Sequence, residues 1–464
     1  MKEMKDFDSL YFVGAGGIGM AALERYFLAK GKRVAGYDRT PSDLTSALIN
    51  EGVHIDFDED PALIPDYCRD PERTLVVYTP AVPSEHRGLT YFREHGFEVV
   101  KRAALLGVVT AHSKALCFAG THGKTTTSSL AAHILHTSGT GCNAFLGGVL
   151  RNYNSNFLLS DTSPYSVIEA DEFDRSFHHL HPFIAVVTST DPDHLDIYGT
   201  PENYLESFAH FTELIQPGGA LIVHTGLALK PRVAEGVKTY TYSRDEGDFH
   251  AANIRRGEGE IVFDMVTPWE TVKDINLGVP VEINIENAIA AMAACRLVDT
   301  PVEAMKTAVA TFLGAKRRFE FWLKEPGEHG KVMIDDYAHH PDELRASITS
   351  VRALYPGRRL TVIFQPHLYT RTRDFAPGFA QALSLADEVI LLPIYPAREE
   401  PIPGVTSEII FKDVTAPEKV LIKKDELMAT LEKETPGVLV TFGAGNIDRF
   451  TGSITEMLES RYRK

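Results

Sequence analysis

The segment Ala119-Gly120-Thr121-His122-Gly123-Lys124-Thr125-Thr126-Thr127 constrains the fold of this chain more than any other. The apolar run Ala115 to Ala119 predicts a buried strand leading in, and apolar residues at helical spacing from Thr126 to His136 predict a helix leading out. Between such elements, glycines let backbone N–H groups close around phosphate oxygens, and the helix offers its positive N-terminus. Lys124 then supplies a point charge and the Thr125 hydroxyl a ligand for Mg²⁺, so Gly120 to Thr126 form a candidate site for ATP or GTP. The loop is shorter than the standard pattern: Gly120 stands three residues before Gly123 instead of five, and Phe118 fills the standard glycine position.

A chain of 464 residues is too long for one core, and about 150 residues per domain suggests three. Alternating strand and helix patterns predict an α/β protein with an N-terminal Rossmann-like nucleotide-binding domain (1–110), a central phosphate-loop domain (111–315) and a C-terminal Rossmann-like α/β domain (316–464). The net charge of −16 argues against a nucleic-acid partner, so anionic ligands must meet local basic sites. No apolar run is long enough to insert in a membrane, and the start, Met1 to Asp6, mixes charge signs without an apolar stretch for secretion. Cysteines at 68, 117, 142 and 295 lack paired spacing, which argues against disulfides or zinc. A cytoplasmic setting follows.

Leu10 to Val13 leads into Gly14-Ala15-Gly16-Gly17-Ile18-Gly19 ahead of a helical pattern, and Asp38 closes a second strand 19 residues after Gly19. Such a turn can seat a nucleotide pyrophosphate on Gly14, Gly16, Gly17, Ile18 and Gly19, with Asp38 on a ribose hydroxyl. The same glycines also suit a tight connection without a ligand. In the central domain the strand Tyr165 to Glu169 ends in an acid, and Ile184 to Thr188 runs on to Asp191-Pro192-Asp193-His194-Leu195-Asp196. Residues past the carboxyl ends of strands converge on a ligand crevice, so Glu169 and His194 could meet the Mg²⁺ that Thr125 holds, although histidine is a less usual ligand for so hard an ion. His178, His179 and His181 lack acids at hand and read as a polar surface loop. Leu227 to Val279 predicts a peripheral sheet, and Asn284 and Asn287 open a small-residue helix whose amides could read an adenine edge or cap the helix.

In the third domain, Lys316-Arg317-Arg318 follows a glycine junction, and Val332 to Ile334 ends in Asp335-Asp336-Tyr337-Ala338-His339-His340-Pro341. Leu360 to Phe364 ends in Gln365-Pro366-His367-Leu368-Tyr369-Thr370-Arg371-Thr372-Arg373, and further strands are expected at Val389 to Leu392 and Val438 to Thr441. Strand ends rich in Asp, His and Arg mark a site, and the pair Arg371 and Arg373 suits an anion.

Taken together, these motifs resemble the Mur ligase family, in the family's order and over the whole chain. They are the Gly14–Gly19 turn, G-T-H-G-K-T-T-T at 120–127, E-A-D-E at 169–172, D-H-L-D at 193–196, R-R-F at 317–319, D-D-Y-A-H-H-P at 335–341, F-Q-P-H-x-Y-T-R-T-R at 364–373 and E-E-P-I-P-G at 399–404. The resemblance implies ATP-dependent amide synthesis: the lactyl carboxylate of UDP-N-acetylmuramate attacks the ATP γ-phosphate, and the amine of L-alanine displaces phosphate from the acyl phosphate. It implies two Mg²⁺ ions on Thr125, Glu169 and His194, and Lys124, His194, Arg318, His339 and Arg371 at the reacting groups. Asn284, Asn287, Arg318 and Asp336 would lie near ATP, Arg371 and Arg373 at the UDP-substrate, and domain closure would bring Arg371 to Lys124. A monomer or weak homodimer is expected. A sibling activity, which attaches a recycled tripeptide to the same sugar nucleotide, shares the phosphate loop but not Q-P-H-x-Y-T-R-T-R.

Three positions depart from the family pattern. Many relatives read H-R-Y where this chain has His367-Leu368-Tyr369, so a cation near the substrate is missing, and Arg373 or Arg318 is expected to substitute. Arg398 stands where a glycine is common and could offset the lost charge. Ile283 replaces a histidine often found before the first asparagine of the adenine helix.

Overall fold

A computed structural model describes residues 3–462 except 258, 326, 328, 398, 434 and 435, so Arg398 lies outside the described residues. The chain forms two compact units, one of residues 1–251, 265–272 and 286–309, the other of residues 252–264, 273–285 and 310–464.

The first unit carries two sheets. Strands β1 (Ser9–Val13), β2 (Arg33–Tyr37), β3 (His54–Asp56), β4 (Thr74–Tyr78) and β5 (Glu98–Lys101) form an all-parallel sheet of order β3-β2-β1-β4-β5. Sequence order reverses beside β1, so its carboxyl end, where the Gly14–Gly19 turn lies, is a topological switch point. The second sheet contains β6 (Lys114–Ala119), β7 (Asn143–Leu150), β8 (Ser155–Leu158), β9 (Tyr165–Glu169), β10 (Pro182–Val187), β11 (Ala220–His224) and β12 (Lys238–Tyr242) in the order β12-β11-β10-β6-β9-β7-β8. Buried on both faces, the inner strands are continuous apolar runs, Ala115 to Ala119 on β6 and Ile184 to Val187 on β10. Their carboxyl ends deliver the phosphate loop, Glu169 and the segment leading to His194 to one edge.

The stretch predicted as a peripheral sheet divides. β12 joins the central sheet beside β11, and β13 (His250–Gly257), β14 (Glu260–Val266) and β15 (Thr271–Asn276) make a separate three-stranded sheet. The second unit holds β16 (Glu320–Lys324), β17 (Val332–Asp336), β18 (Leu360–Phe364), β19 (Glu388–Leu391), β20 (Glu418–Leu421) and β21 (Val438–Phe442), of order β16-β17-β21-β18-β19-β20, parallel except for β16. Its core includes Met333, Ile363, Ile390, Leu439, Ile454 and Leu458. Among the described residues no helix is long and apolar enough to cross a membrane.

Candidate active site

The phosphate loop follows β6 and opens the helix Lys124–Thr137. Gly120 and Gly123 sit at φ 141° and 84°, which a side chain would oppose, and a Cβ at Gly120 would come 2.1 Å from Thr188 Oγ1. Segments past β10 support the loop. The His122 N–H donates to Ser189 Oγ at 2.7 Å, the Thr188 hydroxyl to His122 O at 2.5 Å, and the Thr121 hydroxyl to Asp191 O at 2.7 Å. The His122 ring itself is largely exposed, and Thr126 is half-buried in the first helical turn.

Lys124 donates to Gly120 O at 2.5 Å and to the carboxylate of Glu172 at 3.0 Å. Glu172 is only 2% exposed, and burial raises its pKa against the pull of Lys124. The lysine is therefore held over the loop by a buried acid, a role for E-A-D-E that sequence reading had not assigned. Thr125 donates to Glu169 Oε1 at 3.0 Å, and the Gly147 N–H to Glu169 Oε2 at 3.0 Å. Burial raises the Glu169 pKa, with the Thr125 hydroxyl, Lys124 and the Gly147 N–H acting the other way. A Cβ on Gly147 would fall 2.5 to 2.6 Å from the Glu169 carboxylate, so this glycine is part of the site. It lies in β7, a strand outside the predicted set, and nothing in its local pattern signals the contact. A hydroxyl beside a half-buried carboxylate is a hard-oxygen set that fits Mg²⁺. His194, left-handed at φ 52°, heads a short helix with its ring 3.7 Å from Asp193 and edge-on to Phe173.

Of the two asparagines, Asn284 donates to Val279 O at 3.0 Å. Asn287 is 6% exposed and accepts from Thr127 Oγ1 at 3.1 Å, packed beneath Gly123. It props the loop from below. Ile283 is 56% exposed. His178 is not a free surface group: it meets Ser207 at 2.9 Å and stacks on Phe177.

At the first sheet, the Gly14 and Ala15 N–H groups donate to Tyr37 O, and that of Gly16 to Asp38 Oδ2 at 2.6 Å. The other Asp38 oxygen accepts from Thr40 N at 3.1 Å, so both oxygens of the residue expected at a ribose stabilise the turn itself. Ile18 and Gly19 begin the helix Ile18–Ala29, after Gly17, and such first-turn N–H groups have no partner within the helix. Arg102 Nη1 lies 2.6 Å from where a Gly19 Cβ would stand, placing an unpredicted guanidinium beside them.

In the second unit, Arg317 and Phe319 have left-handed φ values of 60° and 47°. Arg317 points inward, donating to Asp335 Oδ2 at 3.2 Å and to Gly443 O and Gly445 O. Arg318 shares the Tyr337 ring with it and acts electrostatically on Asp336, His339 and Glu343. Asp336 accepts from Ser347 at 2.7 Å, and burial lifts its pKa to about 6. His339 is held by Glu343, which accepts from its N–H at 2.9 Å, and burial lowers the imidazole pKa. Arg371 Nη1 meets His367 Nδ1 at 3.4 Å. Arg373, expected beside Arg371, belongs to the same helix Tyr369–Leu383, where two residues subtend about 200°. It is 53% exposed and paired with Asp374 at 2.7 Å.

Residues 9–114 match the family model described as Mur ligase family, catalytic domain; 118–295 the Mur ligase middle domain; and 317–445 the Mur ligase, glutamate ligase domain. UDP-N-acetylmuramate--L-alanine ligase of Parabacteroides distasonis is 60% identical over 463 residues, all of both chains. The chain is a Mur ligase. The enzyme of the same name from Phocaeicola vulgatus is 58% identical over 460 residues, 99% of this chain and 100% of that one. In fold, this Mur ligase is similar to UDP-N-acetylmuramate-alanine ligase of Thermotoga maritima, with a TM-score of 0.77 at 24% identity over 98% of this chain and 99% of that one. A murein peptide ligase of Psychrobacter arcticus gives 0.61 at 22% identity, over 97% and 98% of the two chains.

Proposed function

We propose that this Mur ligase uses ATP to join L-alanine to the lactyl carboxylate of UDP-N-acetylmuramate, a step in building peptidoglycan precursors. The observation that carries the reading is 60% identity along the full length of a ligase with that name.

The carboxylate attacks the γ-phosphorus of ATP, ADP leaves, and an acyl phosphate forms. The L-alanine amine then adds to the acyl carbon, the tetrahedral intermediate expels phosphate, and the amide nitrogen loses a proton. Every approach in the first step sets anion against anion, so preorganised positive groups contribute most. Lys124 meets the phosphates with the Gly120–Thr126 backbone, and Arg318, His339 and Arg371 serve the transferring phosphoryl group and acyl phosphate. Thr125 and Glu169 would hold Mg²⁺, with His194 at a second ion, which supplies neutralisation of the triphosphate charge. The Gly14–Gly19 turn takes the UDP, and Asn284, Asn287 and Asp336 are assigned to ATP binding. We place the enzyme in the cytoplasm as a monomer or weak homodimer.

The reading is tested by phosphate release from ATP and Mg²⁺ with UDP-N-acetylmuramate, alone, with L-alanine or with the tripeptide, for wild type and Lys124→Ala. Release should require both substrates and fall at least about 100-fold in the variant, the scale of one lost transition-state charge contact. Release stimulated only by the tripeptide would assign the sibling activity instead.

A further inference from the structure

The second unit contains a cation that the family's motifs do not include. Lys424 follows β20 at the carboxyl edge of the sheet. It is half-buried, and no carboxylate lies within ion-pair distance of it among the described residues, although acidic residues outnumber basic ones 63 to 47 in this chain. Its ammonium donates to Asn446 Oδ1 and stands 5.5 Å from the centre of the Tyr395 ring. An ammonium has three donors, and this arrangement engages one.

The surroundings hold that group in place. Asn446 Oδ1 also accepts from Gln365 Nε2 at 3.4 Å, and Gln365 is fully buried with its Oε1 unpartnered. Gly445 fits over this glutamine only because it lacks a side chain: a Cβ would come 2.6 Å from Gln365 Oε1 and 2.8 Å from Tyr395. Tyr395 stacks on His367, at 5.8 Å between ring centres and 16° between planes, and His367 meets Arg371. Lys424, Tyr395, His367 and Arg371 thus form a row with a cation at each end.

The row also passes the position where the family's arginine is missing. Leu368 donates its N–H to Tyr395 O at 3.0 Å, so the ring beneath Lys424 belongs to the residue hydrogen-bonded to Leu368. Arg373 is paired with its neighbour Asp374. We propose that Lys424 binds the α-carboxylate of the incoming amino acid, supplying from the strand β20 edge the cation that Leu368 lacks, while Arg371 serves the acyl phosphate at the other end of the row. This rests on the ligase reading above.

The test is initial-rate kinetics of the full chain, varying L-alanine or L-alaninamide, ATP and UDP-N-acetylmuramate each in turn with the other substrates saturating. A lost charge-assisted hydrogen bond predicts that Lys424→Met raises the KM for L-alanine about 10- to 100-fold, with the KM for ATP and for the sugar nucleotide changed less than about twofold. Wild type should prefer L-alanine to L-alaninamide, and the variant should lose that preference. Lys424→Arg should retain it, and adding Leu368→Arg to Lys424→Met should restore it. An unchanged KM for L-alanine, equal rises for all three substrates, or a preference that survives in Lys424→Met would overturn the assignment. A wild type that makes no amide from L-alanine would instead overturn the ligase reading.

Discussion

Glu24 is the residue whose chemistry fits its surroundings least. It is fully buried in the helix after the Gly14–Gly19 turn, and neither carboxylate oxygen has a hydrogen-bond partner. Burial raises its pKa well above the ordinary range, against the attraction of Arg25. The folded state therefore binds this proton more tightly than the unfolded one. Stability is intact below the unfolded value of about 4.3 and declines as pH rises above it, until the folded carboxyl ionises. Glu24→Met keeps similar length and removes the unpaired group, which costs about 1–3 kcal/mol. Thermal unfolding of the variant should occur at higher temperature at pH 8, by roughly 2–4 °C per kcal/mol regained, with the gap narrowing toward pH 4. A gap of constant size across that range would mean that packing rather than ionisation is responsible.

At the scale of elements, the helix Pro341–Leu354 shows a structural signal and a functional one in the same residues. His340 and Glu343 form a capping box, with Pro341 in the first turn, and Glu343 accepts from the N–H groups of both His339 and His340. Burial opposes ionisation of Glu343, but these N–H groups, His339 and Arg318 outweigh it and hold its pKa below the usual range. Its contribution is thus present above the ordinary glutamate pKa and is lost as pH falls through the lowered one. Glu343→Ala should cost about 0.5–2 kcal/mol at neutral pH and less in acid, and should lower the His339 pKa, since the carboxylate favours the imidazolium. Imidazole NMR titration reads the second effect; an unmoved His339 would show that Glu343 only caps the helix. The motif was visible because caps, prolines and strand ends leave marks in local sequence. The phosphate loop was visible for the same reason, since β6 and its helix fix Gly120 and Lys124 at short range. Edge strands were harder to see. β12 (KTYTY), β16 (EFWLK) and β20 (EKVL) carry charges that suit an edge and blur the apolar pattern. Gly147 and Lys424 were invisible because each is defined by a partner distant in sequence, Glu169 for one, Tyr395 and Asn446 for the other.

For the whole molecule, three domains were expected from length and motif order, and the three family models follow that order. Contacts divide the chain differently: the first two sheets fall in one compact unit and the C-terminal sheet in the other. Such a division depends on long-range packing and leaves no local signature. It does have a thermodynamic consequence, because a ligand stabilises the body that binds it by RT ln(1 + [L]/Kd), about 2.7 kcal/mol at 100 times Kd. The groups proposed to hold the triphosphate and Mg²⁺, the phosphate loop and Glu169, belong to the first unit, and the second adds only the fewer contacts assigned to Asn284, Arg318 and Asp336. The chain has two tryptophans, Trp269 in the first unit and Trp322 in the second, 51% and 42% exposed. Trp322→Phe leaves a reporter in the first unit and Trp269→Phe one in the second. In thermal unfolding followed by fluorescence, saturating ATP with Mg²⁺ should raise the transition seen by Trp269 by several degrees and move the one seen by Trp322 much less. Equal shifts at both reporters would show that the two units unfold as one cooperative block, with nucleotide binding energy spread across the chain.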